Sequence, residues 1–339
     1  MQRANEYRPT YFALRRIEGM ATVAAETVKR VPKALVGYAW VVVAYNVLVI
    51  LWGAVVRATG SGAGCGDNWP LCNGDFFPHH PRLATIIEFA HRSMSGISTV
   101  LVIGLVVWVF YAVSRGHRVR KAAVASVLLL VTEALLGAAL VLGGFVGENI
   151  ATSRVLMQSI HFTNTMLFLG ALSLTAWWLG DAAASRNTSV GDRSLALPAW
   201  VALAATIVVG ATGSVAALAD TLFPSPSLLE GFAADFASSS PLLVRMRWIH
   251  PAAAVVGLVC VVWLVMKMRS RLGWIVAALL GLQFVLGIAD VLLLAPTWIQ
   301  IVHLLGADMY WIALVCLAAE ALWGSAATTA LQSRLLQRE

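Results

Sequence analysis

The sequence predicts an all-α polytopic membrane protein, with eight transmembrane helices forming two pseudo-symmetric parallel four-helix bundles. Three observations carry the prediction: apolar runs of bilayer-spanning length, basic residues concentrated in alternate loops, and a histidine in every even-numbered run. Of the 339 residues, 59% are hydrophobic and 12% charged, and the mean hydropathy is +0.79. That leaves too little polar surface for an ordinary water-soluble domain. Lipid offers no partner for backbone N–H and C=O groups, so long apolar runs must satisfy them internally as helices; a membrane β-barrel would instead show short alternating strands.

Taken in order, residues 1–36 are a basic cytoplasmic tail with Arg3, Arg8, Arg15, Arg16, Lys29, Arg30 and Lys33 interspersed with Tyr7, Tyr11, Phe12 and Leu14. A disordered basic anchor and a segment lying on an anionic membrane surface both fit it. A secretory signal does not, because no short apolar core with a small-residue cleavage site precedes the first span. Spans are expected at 37–56, 88–113, 122–142, 157–180, 197–218, 246–267, 273–294 and 298–323, each near the ~20 residues that cross a hydrocarbon core. The first half, 37–180, includes an outer loop at 57–87; a linker at 181–196 leads to the second half, 197–323, and a cytoplasmic tail at 324–339. The second, fourth and sixth loops carry Arg115, Arg118, Arg120, Lys121, Arg186, Arg193, Lys267, Arg269 and Arg271. By the positive-inside rule both termini are cytoplasmic. The net charge of +7 comes from this asymmetry and does not imply a nucleic-acid partner.

The halves look duplicated. Ala58-Thr59-Gly60-Ser61 recurs as Ala211-Thr212-Gly213-Ser214, and Leu136 to Leu142 matches Leu286 to Leu292 at five positions of seven, with Glu133 answering to Gln283. His91, His161, His250 and His303 fall in spans two, four, six and eight, each within the first six or so residues and so toward the outer face. A repeat unit with an even number of helices keeps its orientation, which predicts two similar pockets side by side. His79, His80 and His117 lie in loops and receive no chemistry.

One intramembrane histidine is as well read as a hydrogen-bonded polar residue. Four at equivalent depths, two per four-helix unit, is what axial ligation of haem iron requires, since a bundle points such ligands inward and the iron accepts an imidazole on each side of the ring. Zinc suits the pattern less, because no helix has the His-x-x-x-His spacing that helps converge ligands on a tetrahedral ion. Arg92, after His91, and Arg245 and Arg247, before His250, flank the outer ends of the pockets, either meeting haem propionates or snorkelling to the interface. Glu88 stands three before His91, on one helix face with it, where Arg247 stands before His250. Glu88 is therefore a candidate proton acceptor, with solvation or helix N-terminal capping as the plain alternative. Cys65 and Cys72 face an oxidising compartment and are expected to form a disulfide that staples a lid over the first pocket. Cys260 and Cys316 read as core residues, and Glu133, Asp290 and Asp308 as acids hydrogen-bonded within the bundle, Glu133 near the first pocket.

These features resemble the haem A synthase family across spans one to eight. The specific parts are Gly-x-x-x-Arg-x-Thr-Gly-Ser-Gly-x-Gly-Cys-Gly-x-x-Trp-Pro-Leu-Cys from Gly53 to Cys72 and Glu-x-x-His-Arg from Glu88 to Arg92, completed by the single histidines of spans four, six and eight. The resemblance implies that His91 and His161 serve the substrate haem with Glu88 essential beside them, that His250 and His303 hold a resident haem b that passes electrons, and that Cys65 and Cys72 match the first-loop cysteines. Some bacterial relatives carry a second cysteine pair between spans five and six; residues 219–244 hold none.

The implied reaction oxidises a ring methyl of haem O to the formyl of haem A for cytochrome oxidase assembly; our hypothesis for the route is two successive hydroxylations to a geminal diol that loses water, with the oxygen supplied either by O2 after one iron ligand dissociates or by water attacking the oxidised methyl. No side chain does this unaided, so the cofactor supplies redox chemistry and the protein orientation and proton handling. The implied partners are haem O delivered by haem O synthase, oxidase assembly factors and an electron donor or acceptor, with a homo-oligomer compatible. Two other readings use the same residues: a di-haem b-type carrier exchanging electrons with quinone, and a transporter with Glu133, Asp290 and Asp308 along a polar path.

Overall fold

A computed structural model describes residues 31–184 and 193–323. The basic tail as far as Arg30, Arg186 with most of the linker, and the tail 324–339 lie outside the described residues. Eight helices are long and apolar enough to cross a membrane: α1 Lys33–Ala58, α2 Leu83–Ala112, α3 Arg118–Leu142, α4 Thr152–Ala183, α5 Arg193–Leu222, α6 Ile249–Met268, α7 Arg271–Leu292 and α8 Thr297–Trp323. A short helix Leu228–Phe236 and a single turn Leu242–Arg245 precede α6. The chain is an all-α integral membrane protein.

Most helices begin earlier than the apolar runs suggest, at Leu83 rather than 88 and at Thr152 rather than 157. Hydropathy reports the hydrocarbon-filled stretch, whereas the backbone ladder continues into the headgroup region, where polar side chains cost little. Three of the four histidines accordingly lie farther along their helices than the apolar runs suggest, whereas His250 is the second residue of α6. His91 is the ninth residue of α2, His161 the tenth of α4 and His303 the seventh of α8, about 9–14 Å along the axis from each helix start.

In the first half α1 packs on α2 and α4, and α3 packs on the same two, closing a ring in which α2 and α4 are diagonal. The second half has the same neighbours, α5 and α7 each packing on α6 and α8. The halves meet through α4 on α5 and α8, and through α1 on α8 and α5. Helices α4 and α8 are central, with 61% and 50% of their apolar windows buried against 28% or less for the others. Thr206 of α5 meets Tyr310 of α8 at 3.0 Å, and the Trp311 indole donates to the Met166 carbonyl at 2.8 Å.

Helix α1 is pinned to α2 by a stripe of side chains seven residues apart. Tyr38 donates to the Leu101 carbonyl (3.0 Å), Tyr45 to Met94 (3.1 Å) and Trp52 to Ile87 (3.0 Å). Each carbonyl has a second lone pair beyond the one used in its own helix. Buried Asn46 accepts from Ser98 at 2.6 Å between them. This register fixes the depth of Glu88 and His91 against α1.

Arg57, at the C-terminal end of α1, ties the halves together. Its guanidinium donates to the Ala217 carbonyl and the Thr221 hydroxyl of α5, both 2.6 Å, and to the Gln300 side-chain oxygen of α8 at 2.8 Å. Arg57→Ala removes all three bonds and is expected to cost about 3 kcal/mol, read as a fall of several degrees in the unfolding temperature of the detergent-purified protein. Arg57→Lys should recover only part of this, because an ammonium lacks the planar fork that reaches several acceptors.

Candidate functional site

The second-half pair shows the most defined geometry. His250 on α6 and His303 on diagonal α8 have ring centroids 6.5 Å apart and planes at 79°. His250 Nδ1 lies 3.1 Å from the Val209 carbonyl of α5. A carbonyl can only accept, so Nδ1 carries the proton and Nε2 keeps its lone pair free. Gly213, one turn beyond Val209, makes room for the ring: a Cβ there would stand 2.9 Å from His250 Cε1.

Each of the four span histidines has a glycine facing it on the preceding odd helix, closest at Gly53 and Gly213 and at ordinary contact distance at Gly137 and Gly287. Built Cβ atoms at Gly53, Gly137 and Gly287 would fall 3.1, 3.9 and 3.4 Å from Cε1 of His91, His161 and His303. Nδ1 of His91, His161 and His303 is buried without a hydrogen-bond partner, although buried polar atoms are ordinarily satisfied. An iron between two trans imidazoles at metal–nitrogen distances of about 2 Å separates the ring centroids by about 6 Å. The spacing of His250 and His303 therefore fits a haem, and the diagonal placement of His91 and His161 repeats its setting.

The glycine contacts correct one expected match. Gly213 is mid-helix under His250, whereas Gly60 lies beyond the end of α1 with φ of 65°. Its structural counterpart is Gly53, seven residues earlier, so the Ala-Thr-Gly-Ser similarity is out of register. The match of Leu136-Gly137 to Leu286-Gly287 is in register, each glycine backing a histidine.

The structure places Glu88 beneath the outer loop. Its carboxylate is 3% exposed, accepts the Cys65 backbone N–H at 2.8 Å and pairs with Arg92 at 2.5 Å. Arg92 also donates to the carbonyls of Asn68 (2.7 Å) and Leu71 (2.6 Å). Cys65 and Cys72 are joined, with Cα atoms 4.4 Å apart. Thr85 donates to the Gly64 carbonyl at 2.7 Å, and a Cβ at Gly64 would collide with the Ala84 carbonyl at 2.4 Å. The loop thus lies on the first turns of α2, with Glu88 and Arg92 as its fastening. Arg247 is likewise engaged, with Asp235 at 2.7 Å and Asp220 at 3.1 Å, holding the short helix Leu228–Phe236 onto the C-terminal end of α5.

Glu133 of α3 belongs to the first-half site. It accepts from Asn164 Nδ2 (2.6 Å) and from the Thr165 hydroxyl, and Oε1 is 3.7 Å from His161 Nδ1. Gln283, its second-half counterpart, has a buried amide nitrogen without a partner. The expectation that Asp290 and Asp308 are hydrogen-bonded within the bundle is not met in full: Asp290 Oδ1 and Asp308 Oδ2 are buried without a partner. Cys316 is buried and Cys260 partly so. His79 and His80 are exposed in the outer loop. His117 caps α3, its Nδ1 accepting from Val119 N–H at 3.2 Å; burial, together with Arg118, lowers its pKa and favours the neutral acceptor.

The backing glycines Gly53 and Gly213, Asn164 and Arg57 are the site residues that the sequence reading does not assign. The signal for the first two was a glycine on each odd span; no local pattern marks the others.

Comparison with known proteins points the same way. The family profile described as cytochrome oxidase assembly protein, COX15-CtaA, matches residues 37–315. The chain is 30% identical over 266 residues to a heme A synthase of Bacillus pumilus, covering 72% of this chain and 81% of that one. It is 40% identical over 144 residues to a heme A synthase of Bacillus licheniformis, covering 42% of this chain and 45% of that one. To a protein of Thermus thermophilus named protoheme IX farnesyltransferase it is 44% identical over 296 residues, 85% of this chain but 48% of the relative, so the chain spans about half that protein's length.

Proposed function

The chain belongs to the cytochrome oxidase assembly family COX15-CtaA, and from that premise we propose that it is a haem A synthase, oxidising a methyl group of haem O to the formyl group of haem A. The observation that carries the reading is the paired setting of the histidines: two on diagonal helices in each half, each over a glycine, with His250 and His303 at 6.5 Å. In this reading the halves 37–180 and 197–323 are parallel repeats with separate tasks. His250 and His303 hold a resident haem b, and His91 and His161 receive haem O. Both termini are cytoplasmic and the pockets open toward the outer side.

The resident haem supplies one-electron transfer when bound. The chain's own residues do the rest. Val209 fixes the His250 tautomer, so that Nε2 is presented. Glu133 lies beside His161 Nδ1 and can accept its proton in a hydrogen bond, orienting the ring and raising its basicity. Glu88 and Arg92 hold the loop closed over the first pocket and keep a proton acceptor within a turn of His91. The Cys65–Cys72 bond limits how far that loop opens.

The name of the Thermus relative describes a protein about twice as long, and this chain corresponds to one part of it. Prenyl transfer onto protohaem is therefore not assigned to this chain. That relationship supports a supply of haem O by a haem O synthase working next to this protein.

The test is direct. Purified protein given haem O, an electron source and oxygen should yield haem A on acid-acetone extraction and chromatography. Unchanged haem O in the presence of bound haem b would favour the di-haem carrier; haem O formed from protohaem and farnesyl diphosphate would favour a transferase. A second prediction concerns the cradle. Gly213→Val crowds His250 and should lower resident haem content by about tenfold, as losses of ligand-orienting groups do, whereas Gly210→Ala should not act through His250, its nearest neighbours being Met166 and Phe162. Haem per polypeptide, read from the pyridine haemochrome, decides between them.

A further inference from the structure

The two histidine pairs are alike in placement and in the glycines that face them, but they differ one turn further along α4 and α8. Glu133 on α3 stands four residues before Gly137, which faces His161, and Gln283 on α7 stands four before Gly287, which faces His303. The two positions are therefore equivalent in register. Opposite Glu133 are Asn164 and Thr165, three and four residues after His161. Asn164 Nδ2 donates to one carboxylate oxygen at 2.6 Å, and the Thr165 hydroxyl donates to the other. The same positions after His303 are Gly306 and Ala307, which bring no side-chain donor or acceptor.

The exchange thus extends over all three positions. The Gln283 amide nitrogen is buried without a partner, and it fills the space at Gly306, where a Cβ would collide with it. In the first half Thr132 donates to the Asn164 side-chain oxygen at 2.7 Å, which turns the Asn164 amide so that its NH2 group meets Glu133. Glu133 Oε1 then lies 3.7 Å from His161 Nδ1, an atom buried with no hydrogen-bond partner. The second half offers no such charge to its ligands: His250 Nδ1 meets the neutral Val209 carbonyl, and His303 Nδ1 is buried without a partner.

We propose that Glu133 is a positioning residue that acts through His161 to lower the reduction potential of the first-half iron, and that the exchange of Glu133, Asn164 and Thr165 for Gln283, Gly306 and Ala307 sets the two sites apart. The inference rests on the reading of the histidine pairs as haem ligands and adds what distinguishes one pair from the other. A carboxylate beside a ligating imidazole, within the low dielectric of a bundle, stabilises the more positive oxidation state of the metal; a neutral amide does not. Asn164 and Thr165 hold the carboxylate in place by charge-assisted bonds, which offset the cost of taking it out of water. The first half accordingly favours ferric iron more strongly than its ligands alone would dictate.

Protein holding haem b in the second half and haem O in the first is titrated electrochemically, the two couples being resolved by their α-band absorbance. Glu133→Gln should raise the ferrous-to-ferric ratio of the first-half iron at fixed potential by about tenfold, the lower end of the effect of losing a ligand's outer partner, or about 59 mV for a one-electron couple. The second-half couple should not move. Gln283→Glu should shift the second-half couple by a similar amount in the opposite direction and leave the first unmoved. Both couples unchanged in both variants, with haem content as in wild type, would overturn the proposal. Loss of haem O from Glu133→Gln without the shift in Gln283→Glu would mark the acid as a scaffold and overturn it as well. If the first half takes up haem b and never haem O, the haem A synthase reading fails, while the shift of that haem b in Glu133→Gln still decides the role of the acid.

Discussion

His303→Ala is expected, on the proposed function, to lower haem b per polypeptide by at least about tenfold, since the iron would lose one of the two histidines proposed to hold it. His250→Ala should match it. The two rings are 6.5 Å apart on helices that pack on the same neighbours. His91→Ala and His161→Ala should leave haem b in place and instead abolish haem A formation. The measurements are pyridine haemochrome content and extracted haem composition on the same preparations. Haem b retained in His303→Ala, or lost in His91→Ala, would show that the halves have the opposite roles.

Glu88→Ala should lower haem A output by about a hundredfold or more, the scale of a lost positioned acid or base, and accumulate haem O or a partly oxidised product. The structure gives this residue a second task, so a single variant does not separate the causes. Removing the carboxylate leaves Arg92 with carbonyls only and takes the acceptor from the Cys65 N–H; breaking a buried ion pair from one side costs about 3–5 kcal/mol. Glu88→Gln separates the roles. Its amide oxygen still accepts from Cys65, so the loop should stay down, and maleimide labelling of Cys65 and Cys72 after mild reduction should match wild type. Output as low as in Glu88→Ala then assigns Glu88 to proton handling; output near wild type assigns it to fastening alone.

Much of this was legible in the sequence. Apolar length gave the eight spans, because it responds to the bilayer itself. Histidines at membrane depth stood out because burying an imidazole is costly. What was not legible lies between helices. Nothing local to Tyr38, Tyr45 and Trp52 marks the α2 carbonyls that they meet. No local pattern gives Arg57 its role: only the second half, far along the chain, supplies its acceptors. Glu88 could be placed near His91 by helical spacing, but its attachment to the Cys65 N–H depends on how the loop folds back. The Ala-Thr-Gly-Ser coincidence shows the limit most plainly: small apolar and polar residues recur in membrane helices for packing reasons, and only the ring of His250 resting on Gly213 identifies which glycine corresponds.

The contact between Arg57 and Gln300 has a consequence for communication between the two cofactor positions. Gln300 precedes His303 by three residues and shares its side of the helix, while Arg57 leads within a few residues into the cysteine-bearing loop. Under the proposed function, a displacement of that loop would reach the turn carrying His303 through the Arg57 guanidinium. Substrate arriving in the first half would then register in the second as an altered reduction potential of the proposed haem b, before any electron is exchanged.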